Sequence, residues 1–125
     1  MNLIGIVSFE KDYRICFFLN QQLNLNLSLS EDKLHIHINK KDIALTYYKG
    51  YNIDFEFFLF ENIANGSKLF PKYKNINYWL LVENKTYNKE IDEIEQQINK
   101  IDAVIGSFRF SNIKDLSQLA DIEFS

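Results

Sequence analysis

Cysteine, proline and glycine are all scarce in this chain, and each scarcity closes off a class of protein. A single cysteine, Cys16, in 125 residues cannot form an intrachain disulfide, so there is no sign of the stapled framework of small secreted domains. The four glycines, Gly5, Gly50, Gly66 and Gly106, are scattered and build no glycine-rich phosphate loop. No run approaches the roughly 18 apolar residues of a membrane-spanning helix. Residues 1–11 lack a basic start, and their apolar stretch is too short for a secretory signal. Neither sign of charge is in large excess: 14 Lys and Arg against 17 Asp and Glu leave −3. Without a basic surplus the chain is poorly matched to generic binding of nucleic acid or an anionic membrane. The expectation is a cytoplasmic protein with no membrane contact, for which nucleic acid is a disfavoured partner.

Aromatic carbon, by contrast, is plentiful. Eleven Phe, seven Tyr and one Trp exceed what one small core needs, and surplus aromatics tend to sit at partner interfaces. The length suits one domain, 1–125, able to bury about two-thirds of the surface its unfolded chain exposes.

The patterning predicts an α+β fold. A short strand at 3–7 is followed by Ser8 as helix N-cap, with Glu10 and Asp12 in the first turn. In the helix at 9–23, Ile15, Cys16, Leu19 and Leu23 share a face, and Tyr13 and Phe17 form a second row, so cover on more than one side is expected. Residues 24–30 alternate as an extended or edge segment, and 33–38 alternate cleanly as Leu34, Ile36 and Ile38 against His35 and His37. After a polar turn at 39–42, strands at 43–48 and 53–60 pair as a hairpin about 49–52, with Gly50 free to take positive φ. Ile53, Phe55, Phe57 and Leu59 then share one face, and Phe58 and Phe60 the other. Residues 78–82 are apolar on both faces, as a central strand requires. A helix at 88–101 carries the stripe Tyr87, Ile91, Ile94, Ile98 and Ile101. A strand at 103–110, with Val104, Gly106, Phe108 and Phe110 on one face, and a short helix at 112–119 close the chain. Short connections imply antiparallel pairing. The expected architecture is an antiparallel sheet of about five strands with two main helices packed on one face.

The stretch from Leu69 to Trp79 holds the only proline and the only tryptophan. Pro71 forces Phe70 out of the helical region and donates no N–H, so the segment must be an extended loop or edge. Lys68, Lys72 and Lys74 make it locally basic, although a connecting loop is the plainer reading.

Candidate chemistry is sparse. His35 and His37 point the same way from a strand, but no third ligand is evident, and an exposed polar face explains them as well. Cys16 lies on the apolar stripe, a place for a small core residue rather than a nucleophile. Asp12, one turn before it, is expected to cap a loop or to meet Arg14 or Arg109. The acidic run Glu90, Asp92, Glu93 and Glu95 suits a solvated helix N-terminus. Nothing calls for a metal or a cofactor.

Residues 70–78, Phe-Pro-Lys-Tyr-Lys-Asn-Ile-Asn-Tyr, resemble the signature of the IPExxxVDY family, bacterial proteins of unknown function. Pro71 and Tyr78 fall at the signature's proline and final tyrosine. Leu3-Ile-Gly-Ile, the stretch Lys11 to Cys16 with Leu19-Asn20, and the C-terminal strand with its short tail are similar to that family too. The pattern departs at Phe70 for Ile, Lys72 for Glu, Ile76 for Val and Asn77 for Asp, so both acidic positions are lost. Relative to the family the chain starts late, which implies a missing N-terminal strand. The resemblance implies a cytoplasmic single-domain protein and carries no activity.

Three functions compete. In the first, a non-enzymatic interaction module meets a protein partner or a second copy through Trp79, Leu81, Phe58 and Phe60 on the sheet face the helices leave open, with Lys72 and Lys74 beside them. In the second, the sheet aromatics stack RNA bases while Lys68, Lys72, Lys74 and Lys85 hold phosphates, against the acidic balance. In the third, a small enzyme works through Asp12, Arg14 and Asn20. The lack of paired titrating groups favours binding over catalysis.

Overall fold

The computed structural model describes residues 2–38, 41–85, 91–110 and 121–124. In chain order they form β1 (Asn2–Val7), α1 (Asp12–Leu23), β2 (Ser28–Leu29), β3 (Leu34–Ile38), β4 (Lys41–Leu45), β5 (Tyr48–Tyr51), β6 (Phe55–Glu61), β7 (Ile63–Ala64), β8 (Ser67–Lys68), a 3-10 turn at Pro71–Tyr73, β9 (Tyr78–Asn84), α2 (Asp92–Asn99), β10 (Gly106–Phe110) and β11 (Asp121–Phe124). The main sheet has six strands in the order β10-β1-β9-β6-β5-β2, and every pair in it is antiparallel. A second sheet runs β11-β3-β4, and β7 pairs with β8 in a small hairpin. The fold is α+β, with one strand more in the main sheet than expected.

Strand alternation sorts the main sheet into two faces. Ile4, Ile6, Phe55, Phe57, Leu59, Tyr78, Leu80 and Val82 meet Ile15, Cys16 and Leu19 of α1 and Ile94 and Ile98 of α2. Both helices therefore cover the same face, as their apolar stripes predict. On the other face Leu3, Phe58, Phe60, Trp79 and Leu81 meet Leu34 and Ile36 of β3, Leu45 of β4, Tyr47, and Leu69, Phe70 and Ile76 from the segment around Pro71. β9 is thus buried on both sides, which is what its unbroken apolar run requires.

Several boundaries differ from the sequence reading for identifiable reasons. α1 begins at Asp12, with Lys11 at its cap and no side-chain cap bond. Ser8 is engaged elsewhere: its N–H donates to Asn77 Oδ1 at 2.9 Å, and its Oγ accepts from the Glu10 N–H at 3.2 Å. The outer row of α1 is not covered, since Tyr13 and Phe17 are exposed. The 43–48 segment splits, with Ile43 to Leu45 pairing with β3 while Tyr48 begins β5. The hairpin turn falls at Asn52, whose Oδ1 accepts from the N–H groups of Asp54 at 3.0 Å and Phe55 at 2.9 Å. Gly50 lies inside β5 without positive φ. Its bare Cα admits the neighbouring chain, because a Cβ there would stand 2.7 Å from Leu27 N. Val104 packs on the helix side and Phe110 on the other, so the two do not share a face. Tyr87, the first residues of the helix expected at 88–101, the turn at 39–40 and the helix expected at 112–119 lie outside the described residues.

Candidate functional site

The open apolar face expected around Trp79 does not exist in this fold. Trp79, Leu81, Phe58 and Phe60 are buried in the chain's own second core, and Trp79 has no exposed surface. The sequence reading gave the helices to one face and left the other to a partner, a second copy of the chain or the C-terminal tail. Leu34 and Ile36 of β3, Leu45 of β4 and Tyr47 instead cover the second face, and the proline-containing loop packs beside them. The rings of Phe70 and Tyr73 stand edge-on to Trp79 at 5.5 and 6.0 Å between centroids. Gly5, opposite Trp79 across the β1–β9 pair, leaves room for the indole and Ile76: a Cβ at Gly5 would come within 3.0 Å of the Trp79 ring and 2.5 Å of Ile76 Cδ1. Lys72 and Lys74 are exposed on the loop. The same burial removes Trp79, Phe58, Phe60 and Tyr47 as stacking platforms for RNA bases.

Asn62 sets the path of that loop. It is fully buried just past β6. Its Nδ2 donates to the carbonyls of Tyr73 at 3.0 Å and Ile76 at 2.9 Å, and its Oδ1 accepts from the Phe70 N–H at 3.0 Å. One amide side chain thereby satisfies three backbone groups that the loop would otherwise bury unpaired.

On the helix side, ionisable groups gather where the cover ends. Glu61 closes β6 directly opposite Tyr78, which opens β9, and Tyr48 opens β5 opposite Leu59. These positions share the parity of the helix-facing residues. α1 starts above them with Asp12, and the four side chains line a cleft of about 250 Å³. Tyr48 Oη donates to Asp12 Oδ2 at 3.2 Å, Asp12 Oδ1 accepts from the Tyr13 N–H at 2.8 Å, and Tyr78 Oη donates to the Glu10 carbonyl.

Burial and the nearby Asp12 carboxylate push protons onto the neighbours. The Tyr48 phenol is raised to about 12, chiefly by desolvation and then by Asp12. Tyr78 is raised by desolvation, then by Glu61 and Asp12. Glu61 is raised by desolvation and then by Asp12, with Lys68 pulling the other way. Cys16, buried deeper along α1, is raised to about 11 by desolvation and then by Asp12, which makes it a poor nucleophile.

The other candidates are not brought to this cleft. Arg14 pairs with Glu10 at 2.8 Å, and its guanidinium lies over the Phe18 ring. Arg109 pairs with Asp92 and, at 3.9 Å, with Glu95 of α2. Asp12 therefore meets neither arginine and takes a tyrosine hydroxyl instead. Asn20 clamps the link to β2 through Leu27, donating to its carbonyl at 3.0 Å and accepting from its N–H at 2.7 Å. The trio Asp12, Arg14 and Asn20 does not assemble. His37 pairs with Asp42 at 3.1 Å, and no group of three His, Cys, Asp or Glu side chains placed to hold a metal forms among the described residues.

Sequence reasoning reached Asp12 but missed Tyr48, Glu61, Tyr78 and Asn62. The one available signal was that Glu61 continues the parity of Phe55, Phe57 and Leu59, which puts a carboxylate at the end of a helix-facing row. It also missed the exposed aromatics at the start of α1: Phe9 is 89% exposed, and Tyr13 and Phe17 are each 59% exposed.

No family model matches the chain, and no curated protein or solved structure matches it significantly. Among the described residues, no helix is long and apolar enough to cross a membrane.

Proposed function

We propose that the protein is a non-enzymatic interaction module, cytoplasmic, which docks a segment of another polypeptide on the outer side of α1. The observation that carries this reading is the exposure of Phe9, Tyr13 and Phe17 in a chain that buries its Trp and five of its eleven Phe. Tyr13 and Phe17 stand one turn apart and are neighbours on the helix surface, while the opposite face of α1 is seated on the sheet. Exposed aromatics in a group mark contact surfaces, where Tyr and Phe are enriched. Three such side chains offer on the order of 400 Å², short of the roughly 800 Å² per partner of a standard stable interface. That suits the anchoring of a peptide segment better than a symmetric dimer. Membership of the IPExxxVDY family, suggested by residues 70–78, belongs to the same proposal and brings no activity with it.

The test compares the parent chain with a Tyr13→Ser, Phe17→Ser double variant. The exposed positions predict an unchanged unfolding midpoint, together with loss of the proteins cross-linked to the parent in nuclease-treated lysate. Retention of the same cross-linked proteins by the variant would refute the reading. Loss of every partner after nuclease would favour RNA instead, and concentration-dependent dimers in sedimentation would favour a second copy.

A further inference from the structure

We propose that the cleft beside the start of α1 binds an alkylammonium group, and that its natural source is a lysine side chain of the polypeptide docked on α1. This rests on the interaction-module reading for the source of the cation, but not for the chemistry of the cleft.

Size comes first. At about 250 Å³ the cleft falls below the roughly 300–1,000 Å³ of pockets that take drug-sized ligands, and it suits one extended side chain. Its lining is divided as a lysine would require. Ile63 and Ala64 offer apolar surface to a methylene stem. Asp12, Glu61 and Tyr48 present oxygen acceptors. An ammonium brings three donors and no acceptor. Each Asp12 oxygen already takes one hydrogen bond, from Tyr48 or from the Tyr13 N–H, and keeps a lone pair. Tyr48 donates its own proton to Asp12 and so turns acceptor lone pairs outward. No donor is bonded to the Glu61 carboxyl among the described residues.

Charge points the same way. The groups that act on Glu61 are Asp12 at the start of α1 and Lys68 on β8. Tyr48 and Tyr78 are neutral at physiological pH. Glu10 is paired with Arg14 outside the lining. Lys68 is the one cation acting on the cleft among these groups, and it forms no ion pair with either carboxylate among the described residues. The result is a small concave site with more negative than positive charge, held partly out of water, where a cation gains most. It begins at Asp12 in the first turn of α1, the helix whose outer side carries the exposed Tyr13 and Phe17.

The probe is n-butylammonium chloride, titrated into the full chain and followed by backbone amide chemical shifts, with sodium chloride at equal ionic strength and n-pentanol as controls. The expected result is a saturable shift centred on Asp12, Tyr48 and Glu61 that neither control reproduces. Glu61→Gln, which keeps shape and removes charge, should weaken it about tenfold, and binding to the parent should fade as Glu61 is protonated. Absence of a saturable shift, or equal affinity in Glu61→Gln, would overturn the proposal. A second arm uses a lysine blocked at both backbone ends as amides. If it fails while n-butylammonium binds, the assignment to a lysine side chain is overturned and the ligand is a free amine. Partners lost in the Tyr13→Ser, Phe17→Ser variant yet retained in Glu61→Gln would keep the interaction module and reject the cleft as part of it.

Discussion

The helix-facing side of the main sheet and the side facing β3 and β4 bury comparable aliphatic and aromatic residues, yet they treat polar groups in opposite ways. On the helix side a cleft at the start of α1 is lined by Asp12, Tyr48, Glu61 and Tyr78. On the other side the proline-containing loop packs over Trp79, and Asn62 satisfies the loop backbone from within. The one polar atom left loose there is Trp79 Nε1, buried without a hydrogen-bond partner among the described residues, a cost that a well-filled aromatic cluster can offset. Where cover stops, rather than how apolar the strands are, decides what becomes a surface. Trp79 and Glu61 sit in adjacent central strands of one sheet and end up with opposite fates.

Three substitutions sharpen or break this contrast. The largest effect is expected for Trp79→Ala, which should cost about 3–5 kcal/mol of stability in denaturant unfolding. A variant that unfolds at the parental midpoint but associates differently would mean the second face is a surface after all. Next comes Asn62→Ala. Losing one side chain that serves three backbone groups should cost at least about 1–3 kcal/mol and should collapse hydrogen-exchange protection at the Phe70 amide. Protection that survives would show that the loop is held by its apolar contacts alone.

The smallest effect has the opposite sign. The Glu61 carboxyl is raised above its ordinary 4.5 by burial and then by Asp12. The folded state therefore holds this proton more tightly than the unfolded chain does. Stability contributed by Glu61 is present below the ordinary value and is lost as pH rises from there through the raised folded value. Glu61→Gln removes that loss, so it should be more stable than the parent at neutral pH, by less than about 1 kcal/mol given its partial exposure. The difference should vanish in acid. Thermal midpoints at the two pH values test the sign, and a destabilised Glu61→Gln at neutral pH would mean that Glu61 is a structural anion. A group that is better tolerated neutral yet kept as a carboxylate fits a site that trades stability for binding.

The sequence showed the helix side more clearly than the other. The stripe Ile91, Ile94, Ile98 and Ile101, the stripe Ile15, Cys16 and Leu19, and the alternation through Phe55, Phe57 and Leu59 each name a buried face, and two helices can meet only one face of a sheet. The doubly apolar run Tyr78 to Val82 pointed to a central strand. The alternation Leu34, Ile36 and Ile38 against His35 and His37 also announced an apolar face, but alternation does not say what it is buried against, so the second cover went unread. The cleft depends on Glu61 pairing with Tyr78, and register between strands separated by a hairpin and a loop is not written in either strand. Lys49-Gly50 looks like turn chemistry. Here the missing side chain instead lets the Leu27 backbone pass, while Asn52 makes the turn.

The place of β1 in the sheet has a consequence for how the protein is made. Leu3 is paired with Leu81 on one side and Phe110 on the other, so β1 leaves the ribosome well ahead of both neighbours. At about 5–20 residues per second, its apolar side chains wait several seconds for β9 and longer for β10. Pairings so distant along the chain close slowly. The sheet's edge at β10 cannot be zipped until Phe110 clears the exit tunnel, and until then β1 is a natural target for a holding chaperone.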